Sequence, residues 1–261
     1  MILELKNITL SFTGGKDTFR ILNELNLCVE EGKITALVGG NGSGKTTLFN
    51  IISGFQQGYG GEIIFRGENI NKHSPDSIAR RGIGRLFQGK LLLPDLTLLE
   101  NMKLASGDCA GEFPFSGLLN RKKIDRKEKE KEQQVIEILI RLFGENNKYL
   151  EMLHYNGSDF SYGEQRLLSL ARLFMGNYTL LLLDEPTASV NPIFFEAIQN
   201  IIYQMVADGK TTILLIEHNM PFVGEMADSC AYLFNGVIRH SGITADVLNN
   251  NEVINSYLGV L

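Results

Sequence analysis

The chain has few cysteines. Three occur in 261 residues, Cys28, Cys109 and Cys230, far apart and with no CxxC pair. That argues against a disulfide framework or a cysteine zinc site and fits a reducing compartment. Long apolar runs are also missing. None approaches the roughly 18–20 residues of a membrane span, so work at a membrane would need another chain to provide the spanning part. The opening "MILELKNITLSF" alternates like a strand, with no basic region followed by an apolar core, and no signal peptide is expected. Nor is there an excess of positive charge. The net charge of −5 gives no broad attraction to nucleic acid, and none is expected as a partner. What is left is an ordinary globular composition, 44% hydrophobic and 21% charged, with an ample core.

The beginning reads as β-rich. "ILELKNITLSF" alternates, "LNLCVEEGK" is a second strand ending in a turn, and "GEIIFRGENI" is a third. Between the last two lie the apolar strand "ITALV", a Gly-rich loop, and "KTTLFNIISG", with helical apolar spacing and a stop at Gly54. Strand, loop and helix in that order form half of a βαβ unit. From about Leu91 to Asp159 strand candidates are few. There "RKKIDRKEKEKEQQVIEILIRLF" is charged first and amphipathic later, as expected of a solvated helix with i,i+4 pairs.

Alternation of helix and strand then resumes. A helix from Glu164 to Met175 precedes the strand "TLLLLDE", and a helix from Ile193 to Asp208, stopped by Gly209, precedes "TTILLIE". Both strands are continuous apolar runs, as a parallel sheet covered on both faces requires. "CAYLFNGVIRHSG" predicts a hairpin around Asn235-Gly236, a strong type I′ turn signal. The tail reads as short helical pieces.

Residues 39–46 read G-G-N-G-S-G-K-T and fit GxxxxGK[ST] at every fixed position. Glycines let successive backbone N–H groups converge on phosphate oxygens, and the helix N-terminus adds its positive dipole end. Gly39, Gly40, Asn41, Gly42, Ser43, Gly44, Lys45, Thr46 and Thr47 are therefore nucleotide-binding candidates. Lys45 can reach the β- and γ-phosphates, and the Thr46 hydroxyl can ligate Mg²⁺. Such a loop needs a carboxylate on a neighbouring strand. "LLLLDE" supplies Asp184 at a strand's C-terminal end to hold Mg²⁺, followed by Glu185, placed to polarise an attacking water. These residues predict a nucleoside triphosphatase. No NKxD guanine-specificity motif is present.

"FSYGEQR" (residues 160–166) alone reads as a loop and helix cap, since Ser161 followed by Glu164 fits a capping box. Its position says more. Gln88, in "GIGRLFQGK", lies at the entrance to the helical region and FSYGEQR at its exit. Asp184-Glu185 follows one helix later, then "TASVNP", then His218 in "LLIEHNM". In this order, over nearly the whole chain, the motifs resemble the ATP-binding-cassette ATPase family.

The resemblance implies an α/β fold. It has a P-loop NTPase core with a mixed parallel sheet, an N-terminal antiparallel β subdomain and an inserted helical subdomain. Residues 1–261 would be one such domain, and 91–165 the helical subdomain with the signature motif at its end. It further implies ATP and Mg²⁺ as cofactors, with Gln88 approaching the metal and the water, and His218 contacting the γ-phosphate and positioning Glu185. FSYGEQR stands where the family usually has LSGGQ. Ser161 and Gly163 are retained, while Tyr162 and Glu164 depart from the pattern. These four would reach a nucleotide held by a second ATPase subunit, in a head-to-tail dimer. Ser189 and Asn191 fall in the D-loop, where many members have Asp in place of Asn191. Adenine would stack on Phe12, with Phe19 the runner-up.

"GIGRLFQ", "LTLLENM", "FPFSGLLNRKK", "SYGEQR", "IEHNM" and "NEVINSYLG" resemble one branch, the ATPase subunits of branched-chain amino-acid importers, with urea and amide importers close to it. That branch implies two transmembrane permease subunits as partners, and a second cassette ATPase, identical or different. A solute-binding protein would act indirectly. The location would be cytoplasmic, peripheral on the inner face of the membrane. The competing class is a soluble member acting on a non-membrane partner. Such members often carry two cassettes or a long coiled-coil insertion, and this chain has neither.

Overall fold

The computed structural model describes residues 1–14, 17–89, 91–107 and 121–258. Cys109 and most of "FPFSGLLNRKK" lie outside the described residues. The chain divides into two compact units, residues 1–88, 178–188 and 206–261, and residues 89–177 and 189–205.

In the first unit, β1 (Leu3–Gly14) buries Leu3, Leu5, Ile8 and Leu10. The step from odd to even positions coincides with a register shift between Leu5 and Ile8, where Asn7 takes a positive φ. β2 (Asp17–Val29) pairs with β1 antiparallel. β3 (Ile34–Val38) runs into α1 (Lys45–Ile52) through the glycine-rich loop. β4 (Gly60–Phe65) and β5 (Glu68–Asn69) complete an antiparallel sheet in the order β2-β1-β4-β5.

After the short helix α2 (Pro75–Arg80) comes β6 (Ile83–Leu86), then β7 (Leu180–Asp184), β8 (Thr212–Ile216), β9 (Ser229–Phe234) and β10 (Val237–Ile243). These strands and β3 form a six-stranded sheet in the order β10-β9-β3-β8-β7-β6, parallel except for the edge strand β10. All residues of β3, β7 and β8 are buried, which explains their unbroken apolar runs. Asn235 and Gly236 both have positive φ, as a type I′ turn demands. β6 had no separate signal in the sequence. It is four residues long and contains Gly84, where an added Cβ would lie 2.7 Å from the ring of Tyr178 and 2.8 Å from Leu181.

The described part of the second unit is helical: α3 (Leu98–Leu104), α4 (Arg121–Phe143), α5 (Lys148–Glu151), α6 (Tyr162–Ala171) and most of α7 (Phe195–Val206). Its core gathers Leu98, Met102, Val135, Leu139, Phe160 and Leu168. The early part of α4 carries an exposed Arg126–Glu130 pair at 2.7 Å, and its later part supplies the buried Val135, Ile138 and Leu139. Two helix boundaries differ from expectation. α6 starts two residues before Glu164 and tightens to a 3₁₀ turn over Arg172–Met175. The helix expected from Ile193 begins as a 3₁₀ turn, Pro192–Phe194, with Asn191 accepting from the Ile193 N–H.

Three helices return to the first unit: α8 (Met220–Met226), α9 (Thr244–Leu248) and α10 (Asn251–Leu258). Val223, Val247, Val253 and Tyr257 pack with Val38, Cys230 and Tyr232. Burial pushes the Cys230 thiol up to about 12, consistent with an inert core cysteine. Among the described residues no helix is long and apolar enough to cross a membrane.

Candidate functional site: a phosphate loop facing three strand ends

The loop between β3 and α1 is held before any ligand is considered. Gly39 could not be replaced: a Cβ there would lie 2.2 Å from the Leu233 carbonyl oxygen. Lys45 is buried, and its ammonium donates to the carbonyls of Gly39 at 2.7 Å and Gly40 at 2.9 Å. Burial pushes its pKa down, against the pull of the Glu185 and Asp184 carboxylates. The N–H of Gly39 donates to the hydroxyl of Tyr257 on α10, at 2.8 Å.

Tyr257 gave no signal in the sequence as a loop partner, being 218 positions from Gly39. Its hydroxyl reaches the loop only because α10 packs beside β3. Tyr257→Phe strands a buried N–H and is expected to lower stability by about 1–2 kcal/mol, measured by urea unfolding. An unchanged midpoint would show that the N–H finds another acceptor.

Opposite the loop, β6, β7 and β8 end side by side. Asp184 closes β7, is 1% exposed, and takes the Arg85 guanidinium on Oδ2 at 3.0 Å. Burial pushes its carboxyl up, and Arg85 opposes this. Glu185 turns away from the strand direction with φ of 50°, a left-handed conformation that costs about 1–2 kcal/mol in an L-residue. Its carboxylate accepts from Gln88 Nε2 at 2.7 Å on one oxygen and lies 3.0 Å from His218 Nε2 on the other. The consecutive acids at the end of β7 are thus held by two side chains of one neighbouring segment, Arg85 and Gln88.

Glu217 is the functional candidate that the sequence did not reveal. It is 2% exposed. One oxygen accepts from the Thr187 N–H at 2.8 Å and the Thr187 hydroxyl at 2.6 Å. The other accepts from the N–H groups of His218 at 3.0 Å and Asn219 at 3.4 Å. The loops carrying Glu185 and His218 are tied through this one carboxylate.

A cavity of about 380 Å³ is lined by Ile21, by residues 41–47, and by Gln88, Glu185 and His218. The structure therefore gathers Asn41, Gly42, Ser43, Gly44, Lys45, Thr46, Thr47, Gln88, Glu185 and His218 around one space. Gly39 and Gly40 lie behind it, as carbonyl partners of Lys45. Asp184, next to Glu185, is buried and not in the lining. Phe12 and Phe19 are not in the lining. They face each other across the β1–β2 ladder, 47% and 60% exposed, and Ile21 is the β2 side chain that reaches the cavity.

The remaining predicted residues belong to the second unit. Ser161 precedes α6, and both its N–H and its hydroxyl donate to Glu164, at 2.8 and 2.6 Å. Glu164 also pairs with Lys148. Gly163 is buried and Tyr162 is 42% exposed. Ser189 has a positive φ, and the Asn191 side chain caps the turn that follows.

Comparison with known proteins agrees with this geometry. The family model described as ABC transporter matches residues 22–188. BraF of Pseudomonas aeruginosa, named as a high-affinity branched-chain amino acid transport ATP-binding protein, is 33% identical over 99% of this chain and 98% of its own. LivG of Escherichia coli K12, named in the same terms, is 34% identical over 91% of each. An ATP-binding cassette of an ABC transporter, solved in its ADP conformation, superposes with a TM-score of 0.80 at 32% identity, covering 99% and 98% of the two chains. A nucleotide-free cassette gives 0.77 at 29%. With a phosphate loop at the end of β3, paired acids at the end of β7 and these relatives over its full length, the chain belongs to the ABC transporter family.

Proposed function

We propose that the chain is the ATP-hydrolysing, energy-coupling subunit of a membrane importer, carrying branched-chain amino acids or a related small polar solute. One observation carries the hydrolytic half of this reading. Glu185, held by Gln88 and His218, faces the same cavity as Lys45 and Thr46. Relatives named for branched-chain amino acid transport support the other half.

Residues 41–47 bind the triphosphate, their N–H groups and Lys45 meeting its oxygens. Glu185 takes a proton from water as its oxygen attacks the γ-phosphorus. The bond to the β–γ bridging oxygen breaks, leaving ADP and phosphate. His218 orients Glu185, and Gln88 holds its other oxygen.

Among the described residues no group of three His, Cys, Asp or Glu side chains could hold a metal unaided. Mg²⁺ needs no such cage, since it is bound by one or two carboxylates together with substrate phosphates. The residues fit it: Oδ1 of Asp184 is buried without a hydrogen-bond partner, and the Thr46 hydroxyl lines the cavity. Asp184, Thr46 and Gln88 are the proposed ligands. When bound, Mg²⁺ neutralises charge on the β- and γ-phosphates.

Ser161, Tyr162, Gly163 and Glu164 serve the nucleotide of a second cassette subunit, with Ser189 and Asn191 at the same interface. The helical segment 91–165 and the Gln88 region are the contacts for two permease subunits, which hold the chain on the cytoplasmic face of the membrane. A solute-binding protein selects the cargo.

A tagged pull-down from detergent-solubilised membranes, read by mass spectrometry, tests this. Two multi-span permeases are expected, with a second cassette ATPase if the dimer is mixed. Enrichment of soluble partners alone would overturn the transport half and leave the ATPase chemistry standing.

A further inference from the structure

Arg85 has no role in the reading above, yet its surroundings are unusually specific. Its side chain is 6% exposed. One terminal nitrogen donates to Asp184 Oδ2 at 3.0 Å. The other donates to Asn50 Oδ1 at 2.8 Å and Ser53 Oγ at 2.9 Å. The guanidinium lies over two rings, 5.6 Å from the centroid of Phe49 and 4.6 Å from that of Phe87. Asn50 and Ser53 sit at the far end of α1, and Asn50 is one helical turn beyond Thr46. One planar fork therefore bridges the helix that presents Lys45 and Thr46 to the strand end that presents Asp184.

We infer that Arg85 is a positioning residue for the metal–nucleotide complex. It fixes the carboxylate plane of Asp184 by occupying Oδ2, which leaves the buried Oδ1 for the cation. It also braces β7 against α1, so that Asp184 and the Thr46 hydroxyl keep the separation the cation needs. Charge alone would not do this. A lysine could neutralise Asp184, but it has no rigid fork with which to hold Asn50 and Ser53 at the same time. The inference rests on the proposed reading that Asp184 and Thr46 serve a magnesium nucleotide.

The test is calorimetric titration with ATP, with Mg²⁺ or with EDTA, in protein carrying Glu185→Gln so that nucleotide is not consumed. In that parent, Mg²⁺ should tighten ATP binding. Arg85→Met should lose at least about tenfold of that gain, as is usual when a group that orients a metal ligand is removed, while metal-free affinity changes less than about twofold. Arg85→Lys keeps a cation beside Asp184 and guards against a folding defect, which thermal melting monitors. It should recover only part of the gain.

Equal weakening of metal-free and metal-bound ATP by Arg85→Met would overturn the proposal, because a merely structural role predicts it. An unchanged Mg²⁺ gain in Arg85→Met, or full recovery in Arg85→Lys, would overturn it as well. If the parent binds ATP with no Mg²⁺ dependence, the magnesium reading itself fails, and the inference falls with it. That result is distinct, because it appears before Arg85 is changed.

Discussion

A Glu185→Gln variant is expected to bind ATP about as tightly as the parent and to release phosphate about 10²–10⁴-fold more slowly. The substitution changes little in shape. An amide can keep one hydrogen bond to Gln88 and one to His218, the two partners that hold the carboxylate at 2.7 and 3.0 Å. It removes the ability to take a proton from water. Single-turnover phosphate release and nucleotide affinity, measured on one preparation, separate the two effects. Turnover near the parent's value would remove Glu185 from the role of base.

A Lys45→Ala variant should fail earlier, at binding. A buried ammonium that meets phosphate oxygens contributes about 3 kcal/mol, or roughly a hundredfold in affinity. Lys45 also donates to the carbonyls of Gly39 and Gly40. Its loss therefore loosens the loop as well as removing a charge, and hydrolysis should disappear along with binding. Titration of a fluorescent ATP analogue gives the affinity. Retention of parental affinity would mean that the backbone N–H groups bind the triphosphate without the lysine.

Legibility in the sequence followed the range of the interaction. The phosphate loop is a local object whose glycines, lysine and threonine are neighbours in the chain, so its pattern was visible at once. β7 and β8 were visible because burial on both faces leaves an apolar run with few alternatives. Residues that reach the site through packing were not. Tyr257 touches Gly39 only through the placement of α10. Neither Arg85 nor Glu217 carried a signal of its own in the sequence. Phe12 and Phe19, the adenine candidates, sit opposite each other at an exposed end of the β1–β2 ladder, outside the cavity lining, and the β2 residue in that lining is Ile21, two places beyond Phe19.

The clasp at Glu217 bears on timing. Four donors from two loops converge on one buried carboxylate. Its loss would leave the Thr187 and His218 N–H groups without these bonds, a penalty of about 1–3 kcal/mol for each that stays buried. The two loops are joined at this one point, so a displacement of either strains the bonds that hold the other. Under the proposed function, Glu185 and His218 are expected to shift in the same step.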